Sequence, residues 1–212
     1  MKEFEQVVRS LEEEIAKAPE ERPPEQHQPE PCSLLFPQSS GVPLRYREEG
    51  WAPTAAEEWR CPYSKARKVV RNKGILSLVG GRGTGKTRLA IEVARRISAK
   101  GTKYVTAMDV FLRLQACYRK SAEETELSIL KELGSARVLI LDEVQERGNT
   151  EWEDRILTHL IDKRYGNMLP TIVIANLKPE ELKDRLGPSI MDRMHEAGGL
   201  LEITGTSHRR KS

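Results

Sequence analysis

Cysteine is scarce in this sequence, and its placement excludes more than its number does. Cys32, Cys61 and Cys117 stand far apart with no C-x-x-C pair, so neither a zinc knuckle nor a disulfide framework is written here; buried or inert thiols are expected. Long apolar runs are missing too. None approaches the roughly 18 residues a membrane span needs, and the opening MKEFEQVVRSLEEE lacks the basic start and apolar stretch of a signal peptide. No membrane partner and a cytoplasmic location are therefore expected. There is no internal repeat. A chain of 212 residues, 38% hydrophobic and 32% charged, suits one globular domain with a solvated extension.

The net charge of +3 conceals an asymmetry, because residues 1–40 hold nine Glu against four Lys or Arg. The remainder is basic, which makes a nucleic-acid partner plausible without requiring one. Phe4, Val7, Val8, Leu11 and Ile15 fall on one stripe of a helix within residues 1–18. A lone helix this short is marginal in water, so its apolar stripe calls for either the protein's own core or another protein's groove. Seven of the twelve prolines lie between Pro19 and Pro43, and 19–43 reads as a Pro/Glu-rich linker. The main domain is expected over 44–212.

From Gly41 onward, short apolar runs alternate with helical patterns. ILSLV (75–79), KYVTA (103–107), RVLIL (137–141), TIVIA (171–175) and LLEIT (200–204) have the length and character of buried parallel strands. Leu89, Ala90, Val93, Ala94 and Ile97 keep helical spacing, and Ser121 with Glu124 and Thr150 with Glu153 read as capping boxes. Pro188 permits a helix to start, with Ile190 and Met194 sharing its core face, and Gly198-Gly199 ends it. The fold class is α/β: a five-stranded parallel sheet sandwiched by helices.

Gly80-Gly81-Arg82-Gly83-Thr84-Gly85-Lys86-Thr87 is a complete G-x-x-x-x-G-K-[ST] P-loop between a strand and a helix. Its glycines let backbone N–H groups turn around phosphate oxygens at a helix N-terminus. Lys86 then reaches the β and γ phosphates of ATP, and Thr87 offers a hydroxyl to Mg2+. VLILDEV supplies Asp142 for the same metal and Glu143 at the strand's mouth, placed to polarise a water. Asn176 follows the next strand, as an orienting amide or as a simple strand cap.

This order of motifs resembles the AAA+ ATPases, and more closely the DnaC-type replicative helicase loaders and their IstB-like relatives. The likeness runs from about Gly41 to Arg209. It rests on SGVPLRYRE (40–48), GGRGTGKTRLA, LILDEV followed by TEWEDRILTHLIDKRYGNMLPTIVIANL, LGPSIMDRM and TSHRR. The resemblance implies a weak Mg2+-dependent ATPase in which Asn176 is sensor 1 and Arg193 an arginine finger completing a neighbouring subunit's site. It implies self-association through those sites. It also makes Arg209 the sensor 2 arginine, with Arg210 competing for the role. The alternative for Arg193 is an ion pair with Asp192 or a nearby carboxylate.

In such loaders the region between the second strand and the Asp-Glu pair faces single-stranded DNA. Here 109–133 has room for two helices, with Arg113, Tyr118, Arg119 and Lys120 on or near the first, types suited to stacking and phosphate contact. The alternative is that Tyr118 packs inward and the charges form a solvated face. Two departures stand out. A short acidic helix replaces the zinc-bearing N-terminal domain of some members, and little sequence follows the fifth strand, so the lid is expected to be reduced or absent. The implied function is loading a hexameric replicative helicase, docked through the N-terminal helix, onto single-stranded DNA. An IstB-like helper of a transposase and a nucleotide-gated adaptor with negligible hydrolysis are the alternatives.

Overall fold

The protein's structure, a computed structural model, describes residues 35–47, 57–119 and 124–204. The expected N-terminal helix, linker residues 19–34, Cys32, Lys120, Ser121, Arg209, Arg210 and the region of the lid lie outside the described residues. Strands β1 (Ile75–Val79), β2 (Thr102–Thr106), β3 (Val138–Asp142), β4 (Thr171–Ile174) and β5 (Gly199–Glu202) fall within two residues of the apolar runs that predict them. They form one sheet in the order β2-β3-β4-β1-β5, with every pairing parallel. Parallel neighbours need crossovers. These are α2 (Lys86–Ser98), α3 (Ala107–Ala116) with α4 (Glu126–Ser135), α5 (Glu151–Gly166) and α6 (Pro179–Ala197), while α1 (Glu57–Arg71) precedes β1.

Both sheet faces are covered, so the strands are apolar on both sides. Val138 and Ile140 point into a core with Tyr63, Val70, Leu89 and Val93 of α1 and α2. Leu139 and Leu141 point into the other, with Leu114, Ile129, Leu160 and Met194 of α3 to α6. Among the described residues no helix is long and apolar enough to cross a membrane.

Three details differ from expectation. Phe36 and Val42, inside the predicted linker, are buried in the α1/α2 core, so packing begins before the last prolines. Short 3-10 turns at Gln38–Ser40 and Leu44–Tyr46 satisfy the backbone locally, with the N–H of Ser40 bonding to Pro37 O at 3.0 Å and that of Tyr46 to Pro43 O at 2.9 Å. Proline resists sheet and helix but not burial of its neighbours. Gly41 has φ 73°, and a Cβ there would lie 2.2 Å from the carbonyl oxygen of Tyr104; only glycine lets the segment lie against β2. Secondly, α4 is capped by Thr125 and Ser128, whose side chains and N–H groups bond reciprocally at 3.1 and 3.0 Å, and not by Ser121 with Glu124. The Thr150–Glu153 box is present at 3.2 and 3.0 Å. Thirdly, Cys61 is exposed and Cys117 half-buried, because Cys61 falls on the outer side of α1.

Candidate nucleotide-binding site

A cleft of about 540 Å³ lies over the C-terminal ends of β1, β3 and β4, where a parallel sheet leaves room for a ligand. β4 pairs with both β1 and β3. The P-loop, the Asp142-Glu143 pair and Asn176 therefore converge although nearly a hundred residues separate the first from the last.

The loop holds positive φ at Gly80, Gly83 and Gly85. Gly85, at φ 92°, turns the chain directly into α2, a conformation a side chain would strain. The helix begins with N–H groups that have no intrahelical acceptor, a ready cradle for phosphate oxygens. Lys86 is only 3% exposed, and its ammonium donates to the carbonyls of Gly80 at 2.9 Å and Gly81 at 2.6 Å. The Thr84 hydroxyl braces the turn through Gly81 O at 3.0 Å. Arg82, expected to serve the nucleotide, pairs with Glu146 at 2.7 Å across the rim.

Thr87 Oγ1 donates to Asp142 Oδ2 at 2.8 Å. The same oxygen accepts from the hydroxyl of Tyr104 at 2.8 Å, and Oδ1 accepts from the N–H of Glu143 at 2.8 Å. The sequence did not single out Tyr104. Its only signal is its place in β2, where it pairs with Ile140 two residues before Asp142. Burial, and then the Asp142 charge, push the Tyr104 phenol well above its ordinary value, so it remains an O–H donor at neutral pH.

These residues fit ATP with Mg2+. Among the described residues no three His, Cys, Asp or Glu side chains gather to hold a metal. A hydroxyl and one carboxylate instead meet beside the phosphate cradle, which suits a hard cation that takes its other ligands from phosphate and water. Glu143 has φ 55° and ψ 43°, a left-handed conformation that costs a non-glycine residue about 1–3 kcal/mol and turns its side chain to the cleft wall. Asn176 lines the same wall, its backbone N–H bonded to Gln145 Oε1 at 3.0 Å. Arg45 and Tyr46 also line the cleft. Arg95 holds them there: its guanidinium donates to the carbonyls of Tyr46 at 2.5 Å and Arg47 at 3.0 Å, pairs with Glu92 at 3.1 Å and lies over the Phe36 ring at 4.6 Å.

Arg193 does not line this cleft. On the last turns of α6 it pairs with Asp162 of α5 at 2.7 Å and donates to Ser189 O at 2.7 Å and Ser189 Oγ at 2.6 Å. Its carboxylate partner is thus Asp162 and not Asp192, while Ile190 and Met194 are buried as their spacing predicts. On the other candidate surface, Tyr118 is 69% exposed and does not pack inward; its hydroxyl donates to Glu126 at 3.0 Å. Arg119 is exposed as well. Arg113 is engaged by Glu124 at 2.6 Å and Glu132 at 2.8 Å.

A family model described as IstB-like ATP binding protein matches residues 64–212. Among curated proteins, the "Replicative helicase loader DnaC" of Escherichia coli (strain K12) is 29% identical over 146 residues, 66% of this chain and 59% of that protein. The chain therefore spans about three fifths of that relative's length. Among solved structures, the "Crystal structure of the DnaC helicase loader" superposes with a TM-score of 0.58 at 24% identity, over 70% of this chain and 92% of that one. AMPPCP-bound DnaA from Aquifex aeolicus gives 0.59 at 23% identity, over 73% of this chain and 49% of that one. The likeness to these structures establishes the P-loop AAA+ fold.

Proposed function

The chain belongs to the IstB-like ATP-binding protein family, and from that premise we propose that it is a Mg2+-dependent ATPase that loads a hexameric replicative helicase onto single-stranded DNA. The observation that carries the reading is the bond between Thr87 and Asp142 beneath the P-loop, with Glu143 and Asn176 on the same wall. In this reading Lys86 and the loop N–H groups bind the β and γ phosphates, and Thr87 and Asp142 hold the metal, which offsets phosphate charge. Glu143 accepts a proton from the attacking water while Asn176 orients it. Arg45 and Tyr46 complete the wall of the cleft.

Arg193 acts on a neighbouring subunit, supported by its place outside its own cleft. Arg209 serves as sensor 2. An arginine supplied from outside accelerates hydrolysis by about 10³ to 10⁵, so an isolated subunit hydrolyses slowly. Tyr118, Arg119 and Lys120 contact single-stranded DNA, and the N-terminal helix docks on the helicase. The similarity to a protein named as a helicase loader favours this over a transposase partner.

Mixed subunits test the mechanism. Glu143→Gln subunits mixed with Arg193→Ala subunits regain ATPase activity at one class of interface; co-assembly without recovery at any ratio would refute action in trans. ATP-dependent co-elution with a replicative helicase tests the partner, and capture of a transposase by residues 1–40 would instead support the second reading.

A further inference from the structure

We infer that the outer face of α1, with the turn that follows it, grips the phosphate backbone of duplex DNA. This surface is separate from the ATP cleft and from the single-strand surface proposed just after α3. Between Trp59 and Lys73 the sequence carries six Lys or Arg and no Asp or Glu. Arg60, Ser64, Arg67 and Arg71 follow one another at helical spacing along a single stripe of about 16 Å. Lys65, Lys68 and Asn72 make the adjacent stripe. All six cations are exposed.

The opposite side of α1 carries Trp59, Tyr63, Ala66 and Val70 into the core, so the direction in which the stripe faces is fixed by packing. Lys65, Arg67, Lys68, Arg71 and Lys73 have no ion pair among the described residues. Other cations of this molecule are answered: Arg82 by Glu146, and Lys103 and Arg113 by Glu132. The one carboxylate facing the cleft between α1 and the ends of α5 and α6 is Glu196, which accepts the hydroxyl of Tyr165. Like charges at helical spacing cost stability when nothing neutralises them, and a line of phosphates removes that cost.

The chemistry selects duplex over single strand and over protein. The aromatic rings of α1 are buried, leaving no platform on which an unpaired base would stack, and the stripe has no exposed apolar anchor of the kind that dominates protein interfaces. What remains is point charge along a straight rod, matched to a duplex whose bases are already stacked and whose charge density is high. The site is also remote from the nucleotide. Arg71 leads into the start of β1, and the P-loop leaves its far end, about 17 Å away along the strand.

The full-length protein with Arg67→Gln, Lys68→Gln and Arg71→Gln tests this, through the salt dependence of binding to a mixed-sequence duplex and to oligo-dT of equal length. The slope of log K against log salt on duplex should fall by about 2 to 3, with oligo-dT binding little altered and ATP affinity unchanged as a measure of folding. Arg67→Lys with Arg71→Lys should keep the duplex slope, since the contact is to charge. An unchanged duplex slope, an equal loss on oligo-dT, or absence of salt-dependent duplex binding by the parent would each overturn the inference. Loss of oligo-dT binding by Tyr118→Ala reports on the single-strand surface after α3 independently.

Discussion

Both oxygens of Asp142 are held by donors of the protein, and that makes the carboxylate a fixed object and not a swinging one. Asp142→Asn removes the charge and turns one accepting oxygen into an NH2 donor that faces a protein donor, so Mg2+-dependent hydrolysis should fall on the order of a hundredfold or more while nucleotide binding in chelator persists; steady-state phosphate release against Mg2+ concentration measures the first, and calorimetric titration in chelator the second. Tyr104→Phe removes one of the positioning bonds. It should weaken the Mg2+ requirement curve by about tenfold, the usual scale for outer partners of a metal ligand, with unchanged ATP affinity in chelator. The contrast between these residues explains what was legible. Asp142 announces itself by following an apolar run beyond a P-loop, all within the linear order. Tyr104 matters only because β2 and β3 pair in one register, a relation that spacing along the chain does not contain.

Among the elements, Arg164 joins more of the fold than any motif suggests. Fully buried, it donates to the carbonyls of Leu133, Ala136 and Pro170 at 2.7, 2.9 and 2.7 Å and to Thr171 Oγ1 at 2.8 Å. It thereby closes the C-terminal end of α4 and the entrance to β4 at once. Burial holds its pKa down to about 10, still protonated at neutral pH. Arg164→Ala strands those oxygens without donors and should cost about 3 kcal/mol or more in urea unfolding; Arg164→Lys should recover only part, because an ammonium lacks the planar fork. Glu132 gives a pH-dependent tie on the same side. Burial raises its pKa, but hydrogen bonds from Lys103 and Arg113 outweigh that and leave it below the ordinary glutamate value. A carboxylate lowered on folding contributes stability above its unfolded pKa and loses it as pH falls through the folded one. Glu132→Gln should therefore flatten the acid limb of a stability profile below about pH 4. Periodicity made α2 readable, a capping box α5, and proline the break at Gly187 (φ 76°) before Pro188, whereas none of the sequence signals above pointed to α1. The start of α4 was misplaced because Ser121 with Glu124 imitates a box that Thr125 and Ser128 make.

For the whole molecule, the lead-in segment and the ATP cleft are one assembly. Arg95→Ala should release residues 36–47 from α2, withdraw Arg45 and Tyr46 from the cleft and weaken ATP by roughly tenfold, in line with losing hydrogen bonds from a charged group; calorimetric titration with a non-hydrolysable analogue measures it. Proline content concealed this, since composition reports where backbone pairing fails and not where a Phe36 or Val42 side chain is buried. The layered α/β architecture was legible from alternating runs, whereas the order β2-β3-β4-β1-β5 was not written in any local pattern. That order carries a consequence in time. Among the described strands β1 is the first a ribosome makes, yet its neighbours are β4 and β5, the last two of them. Until synthesis has passed Thr171 the ILSLV strand has no partner on either edge, an apolar segment open to wrong pairings. The phosphate cradle at its end is consequently completed late, and a nascent chain gains nucleotide only after β4 and Asn176 have been made.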